Sequence, residues 1–235
     1  MYKNNVIIGA PSEELLTLER EGKLVLCELK HLQGKSEAEI EEALQKEPAV
    51  WLYKHICIDA STLPEEYFER IWYRHKGEPV VIKETERLLI RESIPGDAES
   101  FKLLYEDEDV RRFLEVPSVE DYKAYIEQYA KNQYEFYEYG MWSVVEKGSG
   151  KVIGRMGLEL QEISTGDEKI ALGYALLPKY RGFGYAYEAC MAILEYCKAC
   201  GYATEVFVKI DDENVTSSGL FQRLSKQNVI IINKV

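Results

Sequence analysis

Short apolar runs alternate with amphipathic stretches along the first third of the chain. Val6-Ile7-Ile8 stops at Gly9, and Leu24-Val25-Leu26-Cys27 follows Gly22. Val50-Trp51-Leu52 and Ile56-Cys57-Ile58 come next. Runs of this length read as buried strands. Between them lie helix signals. Pro11-Ser12-Glu13-Glu14 opens a helix with acidic residues in its first turn, where the helix dipole favours them. Ser36 stands three residues before Glu39, the spacing of a capping box, and predicts a helix to Gln45. Pro64 to about His75 is a third helix, rich in aromatics. Strands alternating with helices predict a parallel sheet.

The pattern changes after Gly77-Glu78-Pro79, and a boundary is placed at residues 82/83. Glu86 to Arg91 reads as a strand, Pro95-Gly96-Asp97 as a helix start, and Val119 to Glu138 as one tyrosine-rich helix. Met141 to Val145 and Val152 to Met156 flank Lys147-Gly148-Ser149-Gly150, which predicts a hairpin. Ile170 to Leu177 is a strand stopped by Pro178. A helix from Tyr185 to Cys200 ends at Gly201, a suitable C-cap. Ala203 to Ile210 is a strand, Asn214 to Lys226 a helix, and Val229 to Ile232 a last strand.

The 235 residues are 46% hydrophobic, enough for a packed core. The formal net charge of −12 repels phosphate backbones, so a nucleic-acid partner is not expected. No apolar run has the length of a membrane span, and the N-terminus lacks signal-peptide features. The expectation is a cytoplasmic protein without a membrane partner. Five cysteines are scattered through strand and helix segments. Cys197-Lys198-Ala199-Cys200 has CxxC spacing but no second pair nearby, and helical spacing with Ala189 and Ile193 assigns these cysteines to the core rather than to a metal. Asp59-Ala60-Ser61-Thr62 follows an apolar strand, as the nucleophile of a phosphatase would, but Ser61 stands where a second aspartate is needed.

The segment most suggestive of chemistry is Leu172 to Leu177, then Pro178-Lys179-Tyr180, then Arg181-Gly182-Phe183-Gly184-Tyr185-Ala186. Two glycines permit close backbone approach and unusual φ values. A helix starting at once turns its unpaired N–H groups and positive dipole end to the loop, as a pyrophosphate cradle does. A tight connection with no ligand has the same spacing. A dinucleotide fingerprint would need a third glycine at Tyr187.

Arg181 to Ala186 resembles the arginine/glutamine-x-x-glycine-x-glycine/alanine motif of the GNAT superfamily of acyl-CoA N-acyltransferases. Glu84 to Arg91 is similar to the opening strand of its ribosomal-protein N-terminal acetyltransferase-like (RimJ/RimL-type) branch. Ala171-Leu172-Gly173-Tyr174 resembles that branch's strand before the loop, and Asn214-x-x-Ser217 with Leu220 and Leu224 its asparagine-led helix. The resemblance spans residues 84 to 226. It implies an α/β (α+β mixed-sheet) GNAT fold with splayed parallel strands over residues 83–235; the strand–helix alternation before it reads as a small Rossmann-like α/β domain over residues 1–82.

The resemblance further implies acetyl-CoA as cofactor and a primary amine, of a peptide N-terminus or a small molecule, as acceptor. Backbone groups of Ala175, Leu176 and Leu177 are expected to pair with the pantetheine arm. The amides of Arg181, Gly182, Phe183, Gly184, Tyr185 and Ala186 should hold the pyrophosphate, with the Arg181 side chain a further anion contact. Asn214 would bond the pantetheine amides, cap its own helix, or both. Glu159 is the candidate base, though it also reads as a solvent-facing strand residue. The tyrosine that often protonates the leaving thiolate is replaced by Phe221, which leaves Ser217 as the candidate acid or as a packing residue of its helix. Ser225-Lys226 stands where the family has Gly-Phe, and the C-terminus leaves room for one strand where the family has two. A non-catalytic acyl-CoA-binding module is the alternative, and a homodimer is an open assembly.

Overall fold

The computed structural model describes residues 2–114, 116–162, 168–227, 229 and 231–234. The chain divides into two compact units, Met1–Glu78 and Pro79–Val235. Val81 and Ile82, which the sequence grouped with the front domain, lie in a strand of the second unit's sheet.

In the first unit β1 (Ile7–Gly9), β2 (Val25–Glu28) and β3 (Ile56–Cys57) pair in parallel in that order. α1 (Glu13–Arg20) and α2 (Glu37–Lys46) are the crossovers. α1 starts where Ser12 Oγ accepts the Leu15 N–H at 3.1 Å. At α2 the capping-box pair meets: Glu39 accepts the Ser36 N–H at 2.9 Å, and the Ser36 hydroxyl donates to the same carboxylate. Successive right-handed crossovers in one direction keep their helices on one face. Leu15 and Leu16 accordingly pack with Val25 and Cys27. α3 (Glu65–His75) presents Phe68 and Ile71 to Leu24 and Leu26 on the other. The expected strand at Val50-Trp51-Leu52 is instead a 3-10 turn, Pro48–Leu52. Pro48 fixes the turn's φ, and the three-residue period buries Val50 while Trp51 and Leu52 face solvent.

The second unit is built on a seven-stranded sheet ordered β10-β9-β8-β7-β6-β5-β4. Its strands are β4 (Val81–Glu84), β5 (Leu88–Arg91), β6 (Met141–Glu146), β7 (Lys151–Glu162), β8 (Glu168–Leu176), β9 (Glu205–Val208) and β10 (Ile231–Lys234). From β4 to β8 every pairing is antiparallel, whereas β8–β9 and β9–β10 are parallel. α4 (Ala98–Glu106) and α6 (Tyr122–Tyr129) cover one face, flanked by α5 (Glu108–Phe113). The tyrosine-rich helix starts at Tyr122, three residues later than expected, and continues to Tyr137 with one π turn inside it. After α6 comes a wide turn over Ala130–Tyr134 and then the single turn α7 (Glu135–Tyr137). The extra residue in that turn swings Tyr134 inward, where its hydroxyl donates to the Met141 carbonyl. α8 (Tyr185–Cys200) and α9 (Val215–Ser225) complete the unit. α8 buries Ala189, Cys190, Ile193 and Cys197, but Cys200, expected in the core, is exposed. Among the described residues no helix is long and apolar enough to cross a membrane.

Candidate active site

β8 pairs with β7 along its whole length, from Glu162↔Glu168 to Gly154↔Leu176. Its pairing with β9 is a single register position, Ala171↔Phe207. Beyond Ala171 the two parallel strands part, and the β9-side edge of β8 opens. The Leu177 N–H donates to the Ile153 carbonyl at 2.9 Å. Backbone groups alternate sides along a strand, so Ala175 also faces β7, while Tyr174 and Leu176 face the opening. Of the three residues expected to meet the pantetheine arm, Leu176 alone presents its N–H to the open edge. Leu177 is committed on both sides, since its carbonyl accepts from the Tyr180 N–H at 2.9 Å.

The loop after β8 supplies the second component. Gly182 and Gly184 have φ of +84° and +83°. A Cβ built at Gly182 meets nothing within 4 Å, so glycine is required there for its backbone conformation alone. Gly184 is the N-cap of α8, without a side-chain cap. The first bond closing the helix is from the Glu188 N–H to the Gly184 carbonyl at 3.1 Å. The amides of Tyr185, Ala186 and Tyr187 therefore have no intrahelical acceptor. Gly182, Phe183 and Gly184 are exposed, leaving their amides accessible beside them. A run of outward N–H groups at a helix's positive end suits a pyrophosphate.

Three side chains brace this loop. Arg181 donates through Nε to the Leu176 carbonyl at 3.0 Å, through one terminal nitrogen to Asp109 at 2.9 Å, and through the other to Asp107. Its guanidinium, expected as an anion contact, is a clamp between strand end and α5. Arg87 holds the Phe183 carbonyl at 3.0 Å and lies 4.4 Å from the centre of the Tyr185 ring. Glu188 accepts from Thr85 Oγ1 at 2.6 Å, the Arg87 N–H at 3.0 Å and Arg87 Nε at 2.7 Å. Burial raises the Glu188 pKa, but these hydrogen bonds outweigh it and hold the carboxyl below its ordinary value. Sequence reasoning gave Arg87 and Glu188 no role. The signal was an acid at the fourth position of a helix whose capping residue is a glycine.

Asn214 caps α9, its Oδ1 accepting the Ser217 N–H at 3.0 Å. The Tyr174 hydroxyl reaches towards the Ser217 carbonyl, at 3.5 Å. The first turn of α9 thus lies over β8 where the edge opens. Burial pushes the Tyr174 hydroxyl up to about 12. Glu159 lies on the opposite face of the sheet, half-buried, four residues along β7 from Arg155 and bonded by Gln161 Nε2 at 3.0 Å. It shares the face of α4 and α6 with Ala175 and Gly173, and a Cβ at Gly173 would sit 3.3 Å from its carboxylate.

Splayed parallel strands joined through a glycine-bearing helix start define a mixed α/β fold with an open strand edge beside a run of outward amides. Residues 87–225 match the acetyltransferase (GNAT) domain family, and the chain belongs to it. Solved structures agree on the fold. An acetyltransferase (GNAT family) from Bacillus anthracis is 22% identical, with a TM-score of 0.50, over 60% of this chain and 80% of that one. An acetyltransferase from Agrobacterium tumefaciens str. C58 is 18% identical, with a TM-score of 0.51, over 60% and 81%. A ribosomal-protein-S5-alanine acetyltransferase from Vibrio fischeri is 17% identical, with a TM-score of 0.50, over 60% and 80%.

Proposed function

We propose that the chain transfers the acetyl group of acetyl-CoA to a primary amine of a peptide N-terminus or a small molecule. The observation that carries this reading is the row of amides from Gly182 to Tyr187, without acceptors among the described residues, in the loop that follows the open edge of β8. The amides hold the pyrophosphate, and the Leu176 N–H and the Tyr174 backbone groups pair with the pantetheine arm as an added strand would. Acetyl-CoA supplies the acyl group as a thioester. The amine nitrogen bonds to the carbonyl carbon, the C–S bond breaks, the amine gives up a proton, and coenzyme A leaves as a thiol.

An α-amine with a pKa of about 7.7–8.0 is roughly a tenth neutral at pH 7, whereas a lysine near 10.4 is neutral at about 1 in 10³–10⁴. An α-amine therefore asks little of a base, and Glu159 is placed on the face of β7–β8 where an acceptor would lie. Ser217, or Tyr174 beside it, can return a proton to the thiolate from the α9 side. One observation favours a second reading, a module that binds acyl-CoA without turnover: Phe221 puts a ring with no hydroxyl where the family's acid stands.

Thiol release from acetyl-CoA across a panel of amines and peptides, with calorimetric titration of coenzyme A, tests the proposal. Binding with release on an α-amine is expected. Binding without release on any acceptor leaves the module, and no heat with coenzyme A refutes both.

A further inference from the structure

The face of the sheet under α4 and α6 carries two arginines with opposite fates. Arg91 on β5 is neutralised by a bidentate pair with Asp97 at 2.7 and 2.8 Å. Arg155 on β7 is only 6% exposed and has no carboxylate within ion-pair distance among the described residues. One of its terminal nitrogens donates to the Tyr105 and Tyr125 hydroxyls. The rings of Tyr129, Phe101 and Tyr125 lie 4.4, 5.3 and 5.6 Å from the guanidinium carbon. None of these groups carries a compensating charge. Burial raises the Tyr105 pKa and pushes Tyr129 up to about 12, so both phenols are neutral at physiological pH.

The unfilled positions share one edge. Arg155 Nε is buried without an acceptor, and the other terminal nitrogen donates to no described residue. Nε and the terminal nitrogen on its side are the pair a guanidinium offers to both oxygens of a carboxylate. A buried cation is ordinarily paired, because its hydration has been removed. Aromatic faces compensate part of that loss, but they leave the in-plane N–H groups free.

Position ties this edge to the reaction. Arg155 is directly opposite Ala175, and side chains so paired share a face with Cβ atoms about 5 Å apart. Ala175 and Gly173 are the small residues of β8 between Arg155 and the open edge; Met141 and Glu159 lie over Gly173, and Ala175 packs into the core beneath α4 and α6. One to two strand spacings, roughly 5–10 Å, separate the guanidinium from a thioester lying along the edge.

We infer that Arg155 is the recognition point for a carboxylate of the acceptor, and that the preferred acceptor is a primary amine with a carboxylate roughly 5–10 Å from its nitrogen. This rests on the acetyltransferase reading above and names its substrate class. Tyr105, Tyr125 and Tyr129 then hold the guanidinium in one plane, with its free edge turned to the acceptor.

Two peptides with amidated C-termini, Glu-Ala-Ala and Gln-Ala-Ala, test it in thiol release with the full chain. The wild type should favour the glutamate peptide by about 10- to 100-fold in kcat/KM, the range for one charged hydrogen-bonded pair. In Arg155→Gln the ratio should fall to near one, and Arg155→Lys should keep part of it. Glutarate should raise the melting temperature of the wild type and not of Arg155→Gln, a readout that needs no turnover. The wild-type peptide ratio decides even if a variant fails to fold. Coenzyme A binding with turnover blind to acceptor charge, or with no turnover on either peptide, would overturn this inference alone. No coenzyme A binding would overturn the reading beneath it.

Discussion

Replacing Gly182 by alanine isolates the backbone contribution of the phosphate loop. The new Cβ has open space around it, so no clash enters. What remains is the φ of +84°, which costs an L-residue about 1–2 kcal/mol. That energy must surface in one of two places. If the loop keeps its shape, the fold loses stability, at about 2–4 °C of melting temperature per kcal/mol for a domain of this size. If the loop relaxes, its amides turn away, and coenzyme A must pay to restore them, with affinity falling about 5- to 30-fold. Thermal unfolding and calorimetric titration of the same variant read the two shares, which should sum to the conformational cost. Gly182→Asn should lose less than half as much, because asparagine tolerates the left-handed region. A Gly182→Ala protein that melts within about 1 °C of wild type and binds coenzyme A within about twofold would refute the argument.

Other consequences follow from the same geometry. Glu188, whose folded pKa is depressed, contributes stability that is present above its ordinary value of 4.5 and lost as pH falls through the lower folded value. Glu188→Gln should therefore flatten the acid limb of a stability-versus-pH curve in that range; an unchanged limb would count against the Thr85–Arg87 brace. Removing the acids opposite Arg181, with Asp107→Asn and Asp109→Asn together, should lower stability by about 1 kcal/mol, given the partial exposure of that cluster, and weaken coenzyme A binding as the loop loosens. Tighter binding by that variant would show that Arg181 serves as an anion contact after all. Burial lowers the His55 pKa from 6.5 to about 3, so the first unit should lose stability as pH falls below 6.5, by roughly 2 kcal/mol at pH 5. Hydrogen exchange of residues 1–78 should show that loss and show it abolished in His55→Gln.

The elements were legible where one local signal had no competitor. The turn at Lys147 to Gly150, the helix closed by Gly201, and the capping role of Asn214 all depend on residues within a few positions of one another. The errors lie where tertiary demands overrode local pattern. Pro48 and a three-residue period made a turn of Val50-Trp51-Leu52. The Tyr134 hydroxyl meets Met141 and Ser93 from a π turn that no local pattern announced, inside a helix that does run on as its composition reads. β4 was missed because its alternation is short and it gains its partner only by folding against β5. The Gly182–Ala186 loop was legible because its glycines are demanded by backbone conformation. The residues that brace it are separated by 72 to 103 positions in the chain, and no local pattern links them.

This contrast also explains why the family can be read from the chain more easily than the acceptor. In the proposed reading a diphosphate and an amide-bearing arm would be met by main-chain groups, whose signature is backbone geometry: two left-handed glycines, a helix start and a parted strand pair. The amine acceptor proposed here would be met by side chains from β7, α4 and α6, whose meaning depends on which partners the fold denies them. Arg91 and Arg155 are indistinguishable as strand residues in the sequence. Only the fold gives Asp97 to one and leaves the other facing tyrosines. In the proposed reading it is the charge left uncompensated, rather than the arginine itself, that would select the acceptor.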